Sequence, residues 1–248
     1  MAKQEALLHS NGTFYENANG LIGITFDETL ENNSWNKIAC AIKSRHPVIE
    51  SWLGQTKTIV GGTYNGNEFR LVDIQPNRYQ KSDESGYTQA VFTIKYLPDT
   101  LYVMSGTNTN GSYATMPLRQ NGMVTIFGNL PTDIKNVITE CKIKSGRGSN
   151  STQTTTSNEK VFIPCEYELF GETIYSLGSA EGSPQYDYWV GKSASDRIMR
   201  RFNGTDYGYW LRSPYETNGT DFCFVDTSGN ENHIGTYTTR GVPITFAI

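Results

Sequence analysis

Histidine, cysteine and paired glutamates are the side chains of this chain that could make or break bonds, and their spacing argues against it. His9, His46 and His233 have no neighbours recognisable as a triad, whose members meet only in space. Cys40, Cys141, Cys165 and Cys223 form no close pair, so neither a structural zinc site nor a redox motif is signalled. Cys40, Cys165 and Cys223 adjoin apolar residues and Cys141 follows Ile134 and Ile138 at helical spacing, which predicts buried free thiols, with one disulfide as the alternative. Glu166 and Glu168 are two apart and face different sides of a helix, where they would cap and solvate a turn. A glycosidase pair is not identifiable from such spacing. The expectation is therefore no enzyme, no cofactor and no metal.

What remains is chemistry of contact. From Tyr207 the chain reads Tyr-Gly-Tyr-Trp-Leu-Arg-Ser-Pro-Tyr, then a polar stretch, then Phe222-Cys-Phe-Val-Asp-Thr-Ser-Gly-Asn230. A second polar stretch, Glu231 to Thr239, leads to Arg240-Gly-Val-Pro-Ile-Thr-Phe-Ala-Ile248. Three apolar or alternating segments separated by two Asn/Thr/Tyr/Gly loops predict short antiparallel strands that display polar loops. The candidate ligand contacts are Tyr215, Glu216, Asn218, Asp221, Asn230, Glu231, Asn232, His233 and Tyr237. Tyr gives contact area at low entropic cost, and Asn adapts its hydrogen bonds. The plainer alternative is two solvated hairpin loops.

Upstream elements must carry this platform. Gly20 to Phe26 reads as a single strand in a weakly periodic arm over residues 1–33. Ser34 is placed to cap a helix with Trp35, Ile38, Ala39 and Ile42 on one face, interrupted at Pro47 and ended by Gly54. Thr56 to Val60 and Glu68 to Ile74 flank Tyr64-Asn-Gly66 as a hairpin, and Thr88 to Leu97 is the clearest strand. Met116 to Phe127 reads as a helix weakened by Gly122. Pro131 opens another, with Ile134, Val137, Ile138 and Cys141 at helical spacing. Ser145 to Ser157 reads as a long polar loop, Glu166 to Gly171 as a helical turn, and Ser193 to Phe202 as a short helix. The sum is one α+β domain over residues 34–248, with a small twisted antiparallel sheet flanked by helices.

Composition narrows the partners. Charged residues make up 19% and the net charge is −4, with no long basic run, so nucleic acid is not an expected partner. Tyr 15, Phe 11 and Trp 4 supply the large buried areas that a hydrophobic content of 37% would otherwise leave short. No apolar run approaches the ~18 residues that span a bilayer, and the first residues lack the apolar core of a secretion signal. A product made in the cytoplasm, without membrane insertion, is expected. The Asn-x-Ser/Thr triplets, such as Asn203-Gly-Thr205, follow from composition.

Several runs together resemble an uncharacterised domain family common in phages and prophages of gut Firmicutes. They are Trp210-Leu-Arg-Ser-Pro214, Phe222-Cys-Phe-Val225, Gly229 and Gly241 to Ile248. Upstream they include Ser34-Trp-Asn-Lys-Ile38, Gly54-Gln-Thr-Lys-Thr58, Met116 with Arg119, Thr125-Ile-Phe127, Leu130-Pro131, Lys160-Val-Phe-Ile163 and Glu166 to Gly171. The resemblance covers about residues 34–248 and leaves residues 1–33 as a possible virion anchor.

The resemblance implies a C-type-lectin-like fold, shared with formylglycine-generating enzymes and with the ligand-binding proteins that diversity-generating retroelements mutate. It implies a virion protein of the tail, baseplate or fibre that contacts other virion proteins and a host-surface glycan or protein. A homo-oligomer follows, a trimer about a fibre axis being favoured. The alternative within that setting is a purely structural baseplate, collar or head-decoration component. In such a fold Trp210 packs under the strands, and Arg212 pairs with a buried carboxylate or with backbone carbonyls. Cys223, between Phe222 and Phe224, has no neighbouring cysteine for formylglycine chemistry. Glu-Pro-Asn, Gln-Pro-Asp and Trp-Asn-Asp are absent, so calcium-dependent sugar binding in the lectin manner is not expected.

Overall fold

Ser34 begins the first helix as its side chain allows. Its hydroxyl accepts from the Lys37 N–H at 3.3 Å, and α1 runs Trp35–Lys43. Pro47 then starts α2 (Val48–Trp52), and Gly54 leaves the helix at φ 82°. Trp35, Ile38, Ile42, Ile49 and Trp52 are all buried on the face turned to the sheet. The structure is a computed structural model and describes residues 16–17, 20–21, 24–107, 111–177, 181 and 184–248.

The segment before α1 holds a short antiparallel pair, β1 (Glu16–Asn17) and β2 (Gly20–Leu21), in place of the single strand expected from residue 20 onward. Residues 1–15, the rest of the expected arm, lie outside the described residues. Its last part belongs to the folded body. Leu30 is fully buried, and the Trp52 indole donates to the Asp27 carbonyl at 2.9 Å.

The main sheet has the order β13–β5–β4–β3 and is antiparallel throughout. Its strands are β3 (Thr56–Thr58), β4 (Glu68–Asp73), β5 (Val91–Ile94) and β13 (Thr245–Ala247). Phe92 stacks on Phe246 at 5.3 Å across the β5–β13 register, and Trp35 meets Phe92 edge-on at 5.3 Å. These contacts fasten α1 to the sheet. A second sheet, order β11–β10–β9, is built from β9 (Tyr209–Pro214), β10 (Asp221–Val225) and β11 (Glu231–Gly235). Smaller pairs join β6 (Tyr102–Val103) to β12 (Thr239–Arg240), and β7 (Cys141–Gly146) to β8 (Thr154–Glu159). The fold is mixed α+β with several small antiparallel sheets and few helices.

Four local expectations change. Met116 to Phe127 is a π-helical turn, Leu118–Gly122, followed by α3 (Met123–Gly128). The helix opened by Pro131 is only α4 (Thr132–Lys135), and Cys141 starts a strand instead. Val137, Ile138 and Thr139 are β-branched and suit the extended backbone that follows, where Thr139 bridges to Ala247. The polar tract expected as one loop is mostly the β7–β8 hairpin, in which the threonines of β8 suit a strand. Residues 193–202 hold a 3₁₀ turn, Ala194–Arg197, followed by single bridges.

The Glu166 turn forms as expected, as α5 (Glu166–Phe170). It ends on Gly171 at φ 75°, a conformation that favours glycine. No helix among the described residues is long and apolar enough to cross a membrane.

Candidate functional site

β9 is buried along its whole length, and its side chains fix the platform from below. Trp210 is fully buried and donates its indole N–H to the Tyr102 carbonyl at 2.9 Å. Arg212, also fully buried, forms a two-pronged pair with Glu168: Nη1 to Oε2 at 2.6 Å and Nη2 to Oε1 at 2.7 Å. The same guanidinium donates to the carbonyls of Lys144 and Ile163. Both expected kinds of partner are present.

Glu168 receives further donors from the Tyr79 hydroxyl at 2.6 Å, the Tyr186 hydroxyl at 3.0 Å and the Cys165 N–H at 2.9 Å. Burial alone would raise its pKa. The Arg212 charge and hydrogen bonds, with help from Arg78 and Tyr79, outweigh that and hold it at about 2.

Glu166 and Glu168 were expected to solvate their turn, and both are instead fully buried. The short helix packs both glutamates inward and leaves Tyr167 between them as the partly exposed residue of its first turn. Glu166 is satisfied by backbone. Its Oε1 accepts from the N–H groups of Ile174 (2.5 Å) and Tyr175 (2.7 Å), and its Oε2 from the N–H (2.8 Å) and hydroxyl of Ser176. Its own N–H donates to the Ser213 hydroxyl at 2.9 Å.

Above this frame lies an aromatic face. Tyr215 stacks flat on His233, with centroids 3.8 Å apart and planes 10° apart. Tyr175 tilts against His233 at 5.2 Å, and His233 Nδ1 lies 3.1 Å from an Asp221 carboxylate oxygen. Tyr215, Asp221 and His233 are all half-exposed. Three expected contact residues are thus brought together, with Tyr175 added by the fold.

The others are placed differently. Glu216 is half-buried, and its N–H donates to the Tyr175 carbonyl at 2.8 Å. Asn218 is exposed and closes a turn through Thr220. Tyr237 is 62% exposed. Asn230 and Asn232 are exposed. Asn230, however, lies in the turn at the far end of the β10–β11 ladder from Asp221, roughly 16 Å away at strand rise.

The second polar stretch was expected to be a loop, and most of it is the edge strand β11. Its polar residues pair with β10 in full register, so backbone hydrogen bonding overrides composition. Gly229 permits the turn: its φ is 79°, and an added Cβ would strike the Ala194 backbone. Glu231 departs furthest from expectation. It is 8% exposed and faces inward toward Glu166 and Cys223, where burial, and then Glu166, push its pKa up to about 11.

The family described as a domain of unknown function, DUF6273, matches residues 50–248. The chain belongs to this family. No curated protein and no solved structure matches it.

The DUF6273 match starts inside α2 and includes the whole aromatic face and the buried frame beneath it. Concavities also lie on other elements, among them a wide one of about 540 Å³ lined by Ser112, Thr115, Arg147 and Thr155. One of about 280 Å³ is lined by Arg119, Met123, Val124, Phe127 and Lys160, and one of about 200 Å³ by Arg70, Tyr96, Tyr188 and Trp189. All four cysteines are buried and unpaired. Tyr175 and the Glu166–Cys223–Glu231 cluster had no signal in the sequence, because their members lie far apart along the chain and meet only through the β10–β11 register and the packing of α5 and the segment after it against that sheet.

Proposed function

We propose that this DUF6273 protein is a phage virion component, associated with the tail, baseplate or fibre, whose C-type-lectin-like domain recognises the host surface. The observation that carries the reading is the Tyr175–Tyr215–His233–Asp221 face on a sheet held from beneath by Arg212 and Glu168. Flat aromatic side chains already fixed in place lose little entropy on contact, which suits binding of a glycan or protein surface. The resemblance to phage proteins supplies the virion setting, the other virion proteins as neighbours and the homo-oligomer, with a trimer favoured. No step of chemistry is assigned to the face.

The test is attachment of the purified protein to cells of a phage-susceptible strain. Wild type is compared with Tyr215→Ala, His233→Ala and Tyr237→Ala combined. Attachment by wild type and its loss in the variant, with the melting temperature kept, supports recognition. Equal attachment by both refutes it. So does absence of attachment by either while particles fail to assemble without the protein, and that outcome assigns a structural virion role.

A further inference from the structure

Next to the aromatic face, on the same side of the sheet as His233, three metal-ligating side chains from three elements meet out of solvent. Glu166 comes from α5, Cys223 from the middle of β10 and Glu231 from the first position of β11. One donor atom of each lies within 4.8 Å of the other two, and all three residues are buried. The ladder explains two of them. Cys223 faces His233 and Val225 faces Glu231, so Cys223 and Glu231 share one face of the sheet, one diagonal step apart. Glu166 is held in place by the Ile174, Tyr175 and Ser176 N–H groups.

Acidic residues gathered in a fold do not by themselves define a site. Glu231 is what marks this one. Both its carboxylate oxygens are buried and lack a hydrogen-bond partner in good geometry, the Cys223 thiol being the donor beside them. A buried carboxylate without a well-placed donor or counter-charge must acquire a proton or a cation. Glu166 offers it no donor, since its two oxygens are themselves occupied as acceptors. Every buried carboxylate around Arg212, by contrast, is provided with donors.

We propose that Glu166, Cys223 and Glu231 bind a divalent transition-metal cation, zinc by the chemistry of the donors. A thiolate is a soft ligand and selects zinc over calcium or magnesium, which take oxygen ligands in larger sets. Turning the Ser176 hydroxyl hydrogen away from Glu166 frees a lone pair there for the metal. Binding takes the Cys223 thiol to thiolate and releases its proton. The cation would tie β10 and β11 to α5, on the sheet face that carries His233 and next to the Tyr175 N–H that Glu166 accepts. The proposal does not depend on the recognition role, and its test reads metal rather than attachment.

The full chain is refolded from denaturant with equimolar zinc, with cobalt, or with EDTA, so that slow entry to a buried site does not decide the outcome. The expected result is one zinc retained per chain after gel filtration, a higher melting temperature than with EDTA, and a thiolate-to-cobalt absorption band. Cys223→Ser should abolish the band, Cys40→Ser on α1 should keep it, and Glu231→Gln should weaken zinc binding at least tenfold. If wild type retains no metal and melts identically in zinc and EDTA, the proposal is overturned, and Glu231 holds a proton instead. A band that survives Cys223→Ser overturns it as well.

Discussion

Glu168 and Glu231 are both carboxylates buried under the closing sheet, and the fold treats them in opposite ways. Glu168 has the Arg212 guanidinium on both oxygens and three further donors, and stays ionised. Glu231 has no cation and no well-placed donor, and lies against a second carboxylate and a thiol. Depth is nearly the same, so depth does not set the charge. The charge and donors opposite each group do. The first arrangement is a strut for the sheet, and the second leaves its carboxylate without a countercharge.

The largest expected effect breaks the strut. Arg212→Met leaves Glu168 buried and unpaired and should cost roughly 3–5 kcal/mol of unfolding free energy, read from the denaturation midpoint. Trp210→Ala, which removes a fully buried ring from the same strand, belongs in the same range of about 3–5 kcal/mol. Should Arg212→Met leave the midpoint unchanged, the contrast between the two carboxylates collapses.

Glu181 gives an intermediate case with a defined pH signature. It accepts from the Gly146 N–H at 2.6 Å and from the Ser213 hydroxyl. Burial pushes its pKa from 4.5 up to about 7, with Arg212 opposing. A raised carboxylate pKa means that its stability contribution is complete below the unfolded value and is lost as pH rises to the folded one. Between about pH 4.5 and pH 7 the wild type should therefore lose on the order of 3 kcal/mol relative to Glu181→Gln, whose neutral amide keeps the shape. Parallel stability curves for the two proteins across that window would refute the assignment.

The smaller effects sharpen the comparison on the surface. Tyr237→Ala and His233→Ala should each weaken cell attachment by ~1–2 kcal/mol, as contact residues do. Tyr237, being 62% exposed, should leave the melting temperature almost unchanged. Glu231→Gln in EDTA should not destabilise the fold, whereas Glu168→Gln should, and thermal melts of the pair read the difference in sign.

Much of the frame was legible because local signals suffice for it. The Ser34 cap, the Pro47 break, the Thr56–Asp73 hairpin and the Gly171 helix end depend on nearest neighbours and on backbone conformations that few residues tolerate. The early end of α4 and the β7–β8 hairpin were not, because helical spacing of apolar residues and polar composition are both consistent with a strand once a partner strand is supplied.

By itself, then, the sequence pattern determined that β9 and β10 would be strands, and its family resemblance implied that Trp210 would be core and that Arg212 would meet a buried carboxylate or backbone carbonyls. Only tertiary structure decided that the partner is Glu168, that the polar run from Glu231 is an edge strand, and that Glu231 turns inward to Glu166 and Cys223 while His233 turns toward Tyr215. The physical reason is that strand register sets which residues meet across a sheet, and register is fixed by pairing with a distant segment, which no local pattern of polarity encodes.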